Sequence, residues 1–133
     1  MRNNNVEPDF WKKHSIQYLK MAFNNDYRER LASPDGYGKN ISDCGDTIEI
    51  YIMGDKDRLD AVAFDTEGCI NTDACANSVV QMVKGKSVAE AWEITPEKIV
   101  GYLETLPEES THCAELAVGA LRLALTDLQR KYS

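Results

Sequence analysis

Along the chain the apolar positions change period twice. Phe10, Ile16, Tyr18, Leu19, Ala22 and Phe23 recur at helical spacing behind Asp9, a residue suited to an N-cap, which predicts a helix over 9–23. The residues before it are polar and read as a loose arm. A charged connector, 24–30, leads into Ser33-Pro34-Asp35-Gly36-Tyr37-Gly38, where proline and glycine supply turn geometry. From Thr47 the period shortens to two. Ile48, Ile50 and Ile52 fall on one face, opposite Thr47, Glu49 and Tyr51, the alternation of a half-buried strand. Residues 59–66 alternate as well, with Val62 and Phe64 together. Gly54-Asp55-Lys56-Asp57-Arg58 joins the two as a hairpin loop, and 37–41 can add a third, edge strand.

Beyond these strands the helical period returns. Thr72 is placed to cap a helix whose apolar face carries Cys75, Val79, Met82 and Val83 and which stops at Lys84-Gly85-Lys86. Ser87-Val88-Ala89-Glu90 has the spacing of a capping box. Thr95-Pro96 pairs a cap with proline at the first helical position and predicts a helix to about 105, which Leu106-Pro107 breaks. The last helix, from about His112 to Lys131, has a broad apolar face of Leu116, Ala117, Ala120, Leu121, Ala124, Leu125 and Leu128. Strands first and helices after make an α+β fold: a small three-stranded antiparallel sheet, helices packed on one face, and a long C-terminal helix.

Composition narrows what such a domain can do. With 133 residues, 43% of them hydrophobic, the chain closes one core, so residues 1–133 are expected to form a single domain with 1–9 as a flexible arm. The net charge of -7 disfavours nucleic acid and anionic membranes as partners, since both are bound through Lys and Arg. Met1 to Phe10 has no apolar stretch of a secretory signal, and no run is long enough to span a bilayer. The expected location is therefore cytoplasmic, where thiols stay reduced. The four cysteines are then read as metal or sulfur chemistry, or as small buried hydrophobes, rather than as disulfides.

Their positions separate them. Cys44 precedes the first long strand and Cys69 follows the second, so an antiparallel hairpin brings both to one end of the sheet. Cys113 follows His112 at the start of the last helix, where unpaired N–H groups and the dipole favour a thiolate. Asp46 lies two residues after Cys44 and, along an extended segment, points to the same side. The candidate constellation is Cys44, Asp46, Cys69, His112 and Cys113. Cys75, on the apolar face of a helix, is assigned to the core. No Cys-x-x-Cys pair exists, so the spacing is not that of a zinc finger. A Cys–His nucleophile and a plain interaction domain with inert thiols are the other readings these residues allow, although three converging cysteines suit a metal better.

The ordered set Asp35-Gly36-Tyr37-Gly38, Cys44-Gly45-Asp46, Gly68-Cys69, Lys84-Gly85-Lys86 and His112-Cys113 resembles the NifU/IscU-type iron–sulfur cluster scaffold. The resemblance runs from about residue 33 to the C-terminus. It implies a scaffold rather than a turnover enzyme: a protein that takes sulfur from a cysteine desulfurase, assembles a transient 2Fe–2S cluster and hands it to apo iron–sulfur proteins, as a monomer or a homodimer. It implies Cys44, Cys69 and Cys113 as cluster ligands, with Asp46 or His112 completing the set, and Zn2+ in the iron-free form. The alternative it leaves is a zinc-binding sulfur acceptor that carries persulfide, although the insertion typical of such relatives between the second and third cysteines is absent. Four places depart from the family pattern. Ile70 replaces a glycine after Cys69, Asn24 to Leu31 lacks the Asn-Pro-Arg-Asn run, and Cys75 stands where a small residue such as serine is usual. In the chaperone-recognition segment, Leu106-Pro107-Glu108-Glu109-Ser110 exchanges a basic end for acids, which counts against the specialised Hsp70/J-protein partners.

Overall fold

The computed structural model describes residues 13–132; the predicted arm and the Asp9 cap lie outside them. Helix α1 is Ile16–Phe23. The 9–23 periodicity is interrupted at Ser15, whose hydroxyl accepts from the Tyr18 amide and donates to the Leu103 carbonyl. A serine that bonds its neighbours' backbone caps a helix rather than continuing one.

Strands β1 (Gly36–Ile41), β2 (Thr47–Gly54) and β3 (Leu59–Glu67) form one antiparallel sheet in the order β1-β2-β3. The register sets Gly38 opposite Ile50, Ile50 opposite Phe64 and Thr47 opposite Glu67. Four helices follow: α2 (Ile70–Val83), α3 (Val88–Trp92), α4 (Pro96–Leu103) and α5 (Thr111–Arg130), with a 3-10 turn at Glu108–Ser110 ahead of the last. The capping box at Ser87 and Glu90 and the Thr95-Pro96 helix start are both present as the sequence predicts. Ile48, Ile50 and Ile52 are fully enclosed, together with Val79 and Val80 of α2 and Leu121 and Leu125 of α5. Helix α5 runs so close over β1 that a Cβ at Gly38 would strike the Ala120 carbonyl and the Ala124 amide. That approach seats the long helix and fixes where its first turn, with Cys113, falls.

The α+β architecture with helices on one face is the expected one, but β2 is not half-exposed. Glu49 and Tyr51 are buried along with the isoleucines. The connector before β1 folds back along the edge of β3, the Glu29 amide donating to the Phe64 carbonyl and the Phe64 amide to the Tyr27 carbonyl, each at 2.9 Å. Arg30 then reaches Glu49 at 3.6 Å, and Tyr37 donates its hydroxyl to the same carboxylate. Arg30 from the connector and Tyr37 from β1 cover the outer face at Glu49, which strand periodicity alone could not register.

Candidate metal centre

Each cysteine owes its position to a local backbone device. The β1–β2 connection is a tight turn in which the Ser42 amide donates to the Asp46 carbonyl (2.8 Å) and the Gly45 amide to the Ser42 carbonyl (3.0 Å). Gly45 sits at φ +94, a left-handed conformation that favours glycine. Cys44 is thus at the tip of a hairpin, and the segment to Asp46 is curled rather than extended. The curl still turns the two side chains toward each other: ligand atoms of Cys44, Asp46 and His112 all lie within 4.8 Å of one another. Ser42 supports the loop, its hydroxyl accepting from the Asp46 amide at 3.1 Å and lying 3.2 Å from the Cys44 sulfur.

Across the sheet, the Thr47–Glu67 pairing delivers Gly68-Cys69 to the same end, as a hairpin requires. Helix α2 begins at Ile70 with Cys69 itself as N-cap, without a side-chain cap bond, so Thr72 is not the cap. Two residues inside the helix, Thr72 is instead drawn inward and fully buried. Its hydroxyl donates to Asp46 Oδ2 at 3.2 Å and lies 3.7 Å from both Cys69 Sγ and Cys113 Sγ. Pattern reading misses this residue because threonine before a helix is an ordinary cap signal. The usable clue is its spacing of three from Cys69, which puts both on one side of a helical turn.

The third contribution is the first turn of α5. His112 is exposed, and its Nδ1 lies 3.2 Å from the Glu109 carbonyl. A carbonyl only accepts, so this contact assigns the proton to Nδ1 and leaves the Nε2 lone pair available as a ligand. Nε2 is 3.7 Å from Cys113 Sγ. The Cys113 thiol is pushed up, not down, from its ordinary value: burial dominates, and Cys69, Asp46 and Cys44 add to the rise. At a helix start the dipole favours a thiolate, but here desolvation outweighs it. Cys75 lies wholly within the core, and burial drives its thiol far up.

Behind the thiols, Tyr18 of α1 donates to Asn71 Oδ1, and Asn71 Nδ2 donates to Ser110 Oγ at 3.0 Å. This chain ties the first turn of α2, next to Cys69, to the residue before α5, near Cys113. On the other side Arg28 pairs with Asp65 (3.2 Å) and Asp73 (2.9 Å), joining β3 to the same turn of α2. The five predicted residues are therefore all found at one end of the sheet. Thiolate, carboxylate and imidazole donors in this number suit zinc or iron–sulfur species, not a hard oxygen-ligated ion.

Fold and side chains define a small α+β domain that gathers thiol, carboxylate and imidazole groups at the hairpin end of its sheet. A family model described as the NifU-like N terminal domain matches residues 27–133, and the chain belongs to that family. It is 39% identical over 88 residues, 66% of its length, to the iron-sulfur cluster assembly scaffold protein IscU 1 of Archaeoglobus fulgidus, and spans 58% of that protein. It is 37% identical over 89 residues to the scaffold protein IscU of Buchnera aphidicola subsp. Acyrthosiphon pisum, of which it spans 69%. Among solved structures, the N-terminal part of a nitrogen-fixing NifU-like protein from Brucella abortus superposes with a TM-score of 0.72 at 17% identity, covering 88% of this chain and 94% of that one. A putative SUF-system scaffold from Fervidobacterium islandicum AW-1 gives 0.70 at 18% identity, covering 86% and 97%. At such identities the two structures show a shared fold. Among the described residues no helix is long and apolar enough to cross a membrane.

Proposed function

We propose that this chain is a scaffold for iron–sulfur cluster assembly, with a 2Fe–2S cluster as its cargo. Sulfur comes from a cysteine desulfurase, and the product passes to apo iron–sulfur proteins in the cytoplasm. Cys44, Cys69 and Cys113 supply thiolates, the ligands such clusters prefer, and Asp46 or His112 supplies the remaining protein ligand. A carboxylate is a harder partner than thiolate, so an Asp46 ligand makes the cluster easier to release, as transfer demands. The observation that carries this reading is the gathering of Asp46, Cys69 and Cys113 around one buried hydroxyl, with Cys44 and His112 on the rim. The names of the archaeal and bacterial relatives support it.

Before iron arrives, the same donors hold Zn2+. Glu108 and Glu109 stand exposed beside the site, so a chaperone that seeks a basic segment here meets repulsion. Monomer and homodimer are both compatible with a cluster at this rim. A zinc-bound persulfide carrier would use the same residues, and no feature of the site favours it.

Anaerobic reconstitution with ferrous iron, sulfide and a desulfurase is the test. The wild-type chain is expected to develop visible cluster absorbance that Cys69→Ala abolishes. A colourless wild-type product overturns the proposal. One tight zinc per chain with desulfurase stimulation and no iron uptake would put the sulfur carrier in its place.

A further inference from the structure

Thr72 is a polar side chain at the floor of the site with a task that the scaffold reading does not supply. It is fully enclosed, and three of the five candidate ligands meet its hydroxyl: Asp46 Oδ2 at 3.2 Å, Cys69 Sγ at 3.7 Å and Cys113 Sγ at 3.7 Å. A hydroxyl has one proton and two lone pairs. Toward a carboxylate it can only donate, so its proton goes to Asp46 and its lone pairs face the two sulfurs. The chain is fitted around this group. A Cβ at Gly68 would come within 2.7 Å of Thr72 Oγ1, so glycine there lets the β3–α2 passage lie against it. Valine has the same shape and no hydroxyl to desolvate, so packing alone does not account for threonine.

We propose that Thr72 is the positioning residue of Asp46: its hydroxyl holds one carboxylate oxygen and leaves the other to ligate a metal beside Cys44 and His112. The inference rests on the scaffold reading and extends it to how the ligands are kept together. The donors fall into two groups, Cys44, Asp46 and His112 on one side of the Thr72 hydroxyl and Cys69 and Cys113 on the other. Asp46 belongs to the first by proximity and is linked to the second by hydrogen bonding through the Thr72 hydroxyl. Ligating carboxylates are commonly oriented by such outer hydrogen bonds, and losing one costs about 10–100-fold in metal affinity. Held by one oxygen, Asp46 is a single-point ligand that can let go without disturbing the three thiols.

Anaerobic titration of the whole chain with Co2+, read by thiolate-to-cobalt charge-transfer absorption, tests this. Thr72→Val is expected to weaken binding about 10–100-fold, and Thr72→Ser to restore wild-type affinity. In an Asp46→Ala background the valine change is expected to add less than about twofold, because the group it positions is gone. Wild-type affinity in Thr72→Val overturns the inference and leaves the scaffold reading standing. A loss of equal size in both backgrounds also overturns it, as that is what a packing role would give. If Thr72→Val does not fold, Thr72→Ala with Thr72→Ser makes the same comparison. A wild-type chain that holds no cobalt overturns both proposals.

Discussion

Cys75 and Cys113 are shielded from solvent almost equally, at 0% and 1% exposure, and both lie on helices. What surrounds them differs. Both belong to one hydrophobic cluster, and among the described residues no hydrogen-bond partner is found there for the Cys75 thiol. Cys113 touches the Thr72 hydroxyl and the His112 ring, and Cys69, Asp46 and Cys44 are near enough to act on its charge. Burial pushes both thiols up, but only Cys113 has a hydroxyl, that of Thr72, within hydrogen-bond reach. Seclusion alone therefore does not mark a cysteine as inert. The polarity of its neighbours does.

The largest expected separation is in loading. Cys113→Ala is expected to abolish cluster absorbance after anaerobic reconstitution, whereas Cys75→Ala keeps it; equal losses would give the two cysteines one role. The next is kinetic. Under native conditions iodoacetamide is expected to modify the exposed Cys44 and Cys69 first and Cys113 more slowly. Cys75 then reacts only through global unfolding, slower than Cys44 by more than about 1,000-fold if the domain is stable by 5 kcal/mol. Peptide mapping by mass spectrometry at timed intervals reads all four. Early modification of Cys75 would show that it opens into the site.

Much of this contrast is legible in the sequence. The hairpin rule put Cys44 and Cys69 at one end of the sheet, and helical period put Cys75 on an inward face. Three features were not legible, each for a physical reason. Periodicity reports which face of a strand is apolar, but not that Arg30 and Tyr37 would cover the polar one. Thr72 looks like a cap in sequence because the helix start depends on where β3 ends, and Cys69 takes the cap instead. The thiol of Cys113 could be given a helix dipole from sequence, but its desolvation depends on three segments far apart in the chain. The Tyr18–Asn71–Ser110 link has the same origin: residues 53 and 39 positions apart, joined only by packing.

Smaller effects sharpen the comparison through pH. A thiol buried as Cys75 is held neutral in the folded state, while its unfolded counterpart ionises near the ordinary 9.0. Above that pH the unfolded chain releases a proton that the folded chain keeps, so folding stability falls as pH rises. At pH 10 the loss from this one group is about 1.4 kcal/mol. Urea unfolding at pH 7 and pH 10 is expected to show a steeper alkaline loss in wild type than in Cys75→Ala. Parallel losses would mean that the Cys75 thiol is already ionised in the fold.

The smallest effect runs opposite to the largest. At neutral pH Cys75→Ala leaves a sulfur-sized gap among fully packed side chains and is expected to cost about 1 kcal/mol of stability. Cys113→Ala is expected to cost less. Its sulfur borders the Thr72 hydroxyl, which keeps Asp46 as an acceptor, and the solvent-facing His112 ring, so the neighbourhood can close without stranding a polar atom. Measured by urea unfolding, the order of the two variants in stability is thus the reverse of their order in cluster loading. A residue that matters more for holding the cargo than for holding the fold belongs to the site. A Cys113→Ala variant less stable than Cys75→Ala would instead show that Cys113 serves the fold more than the site.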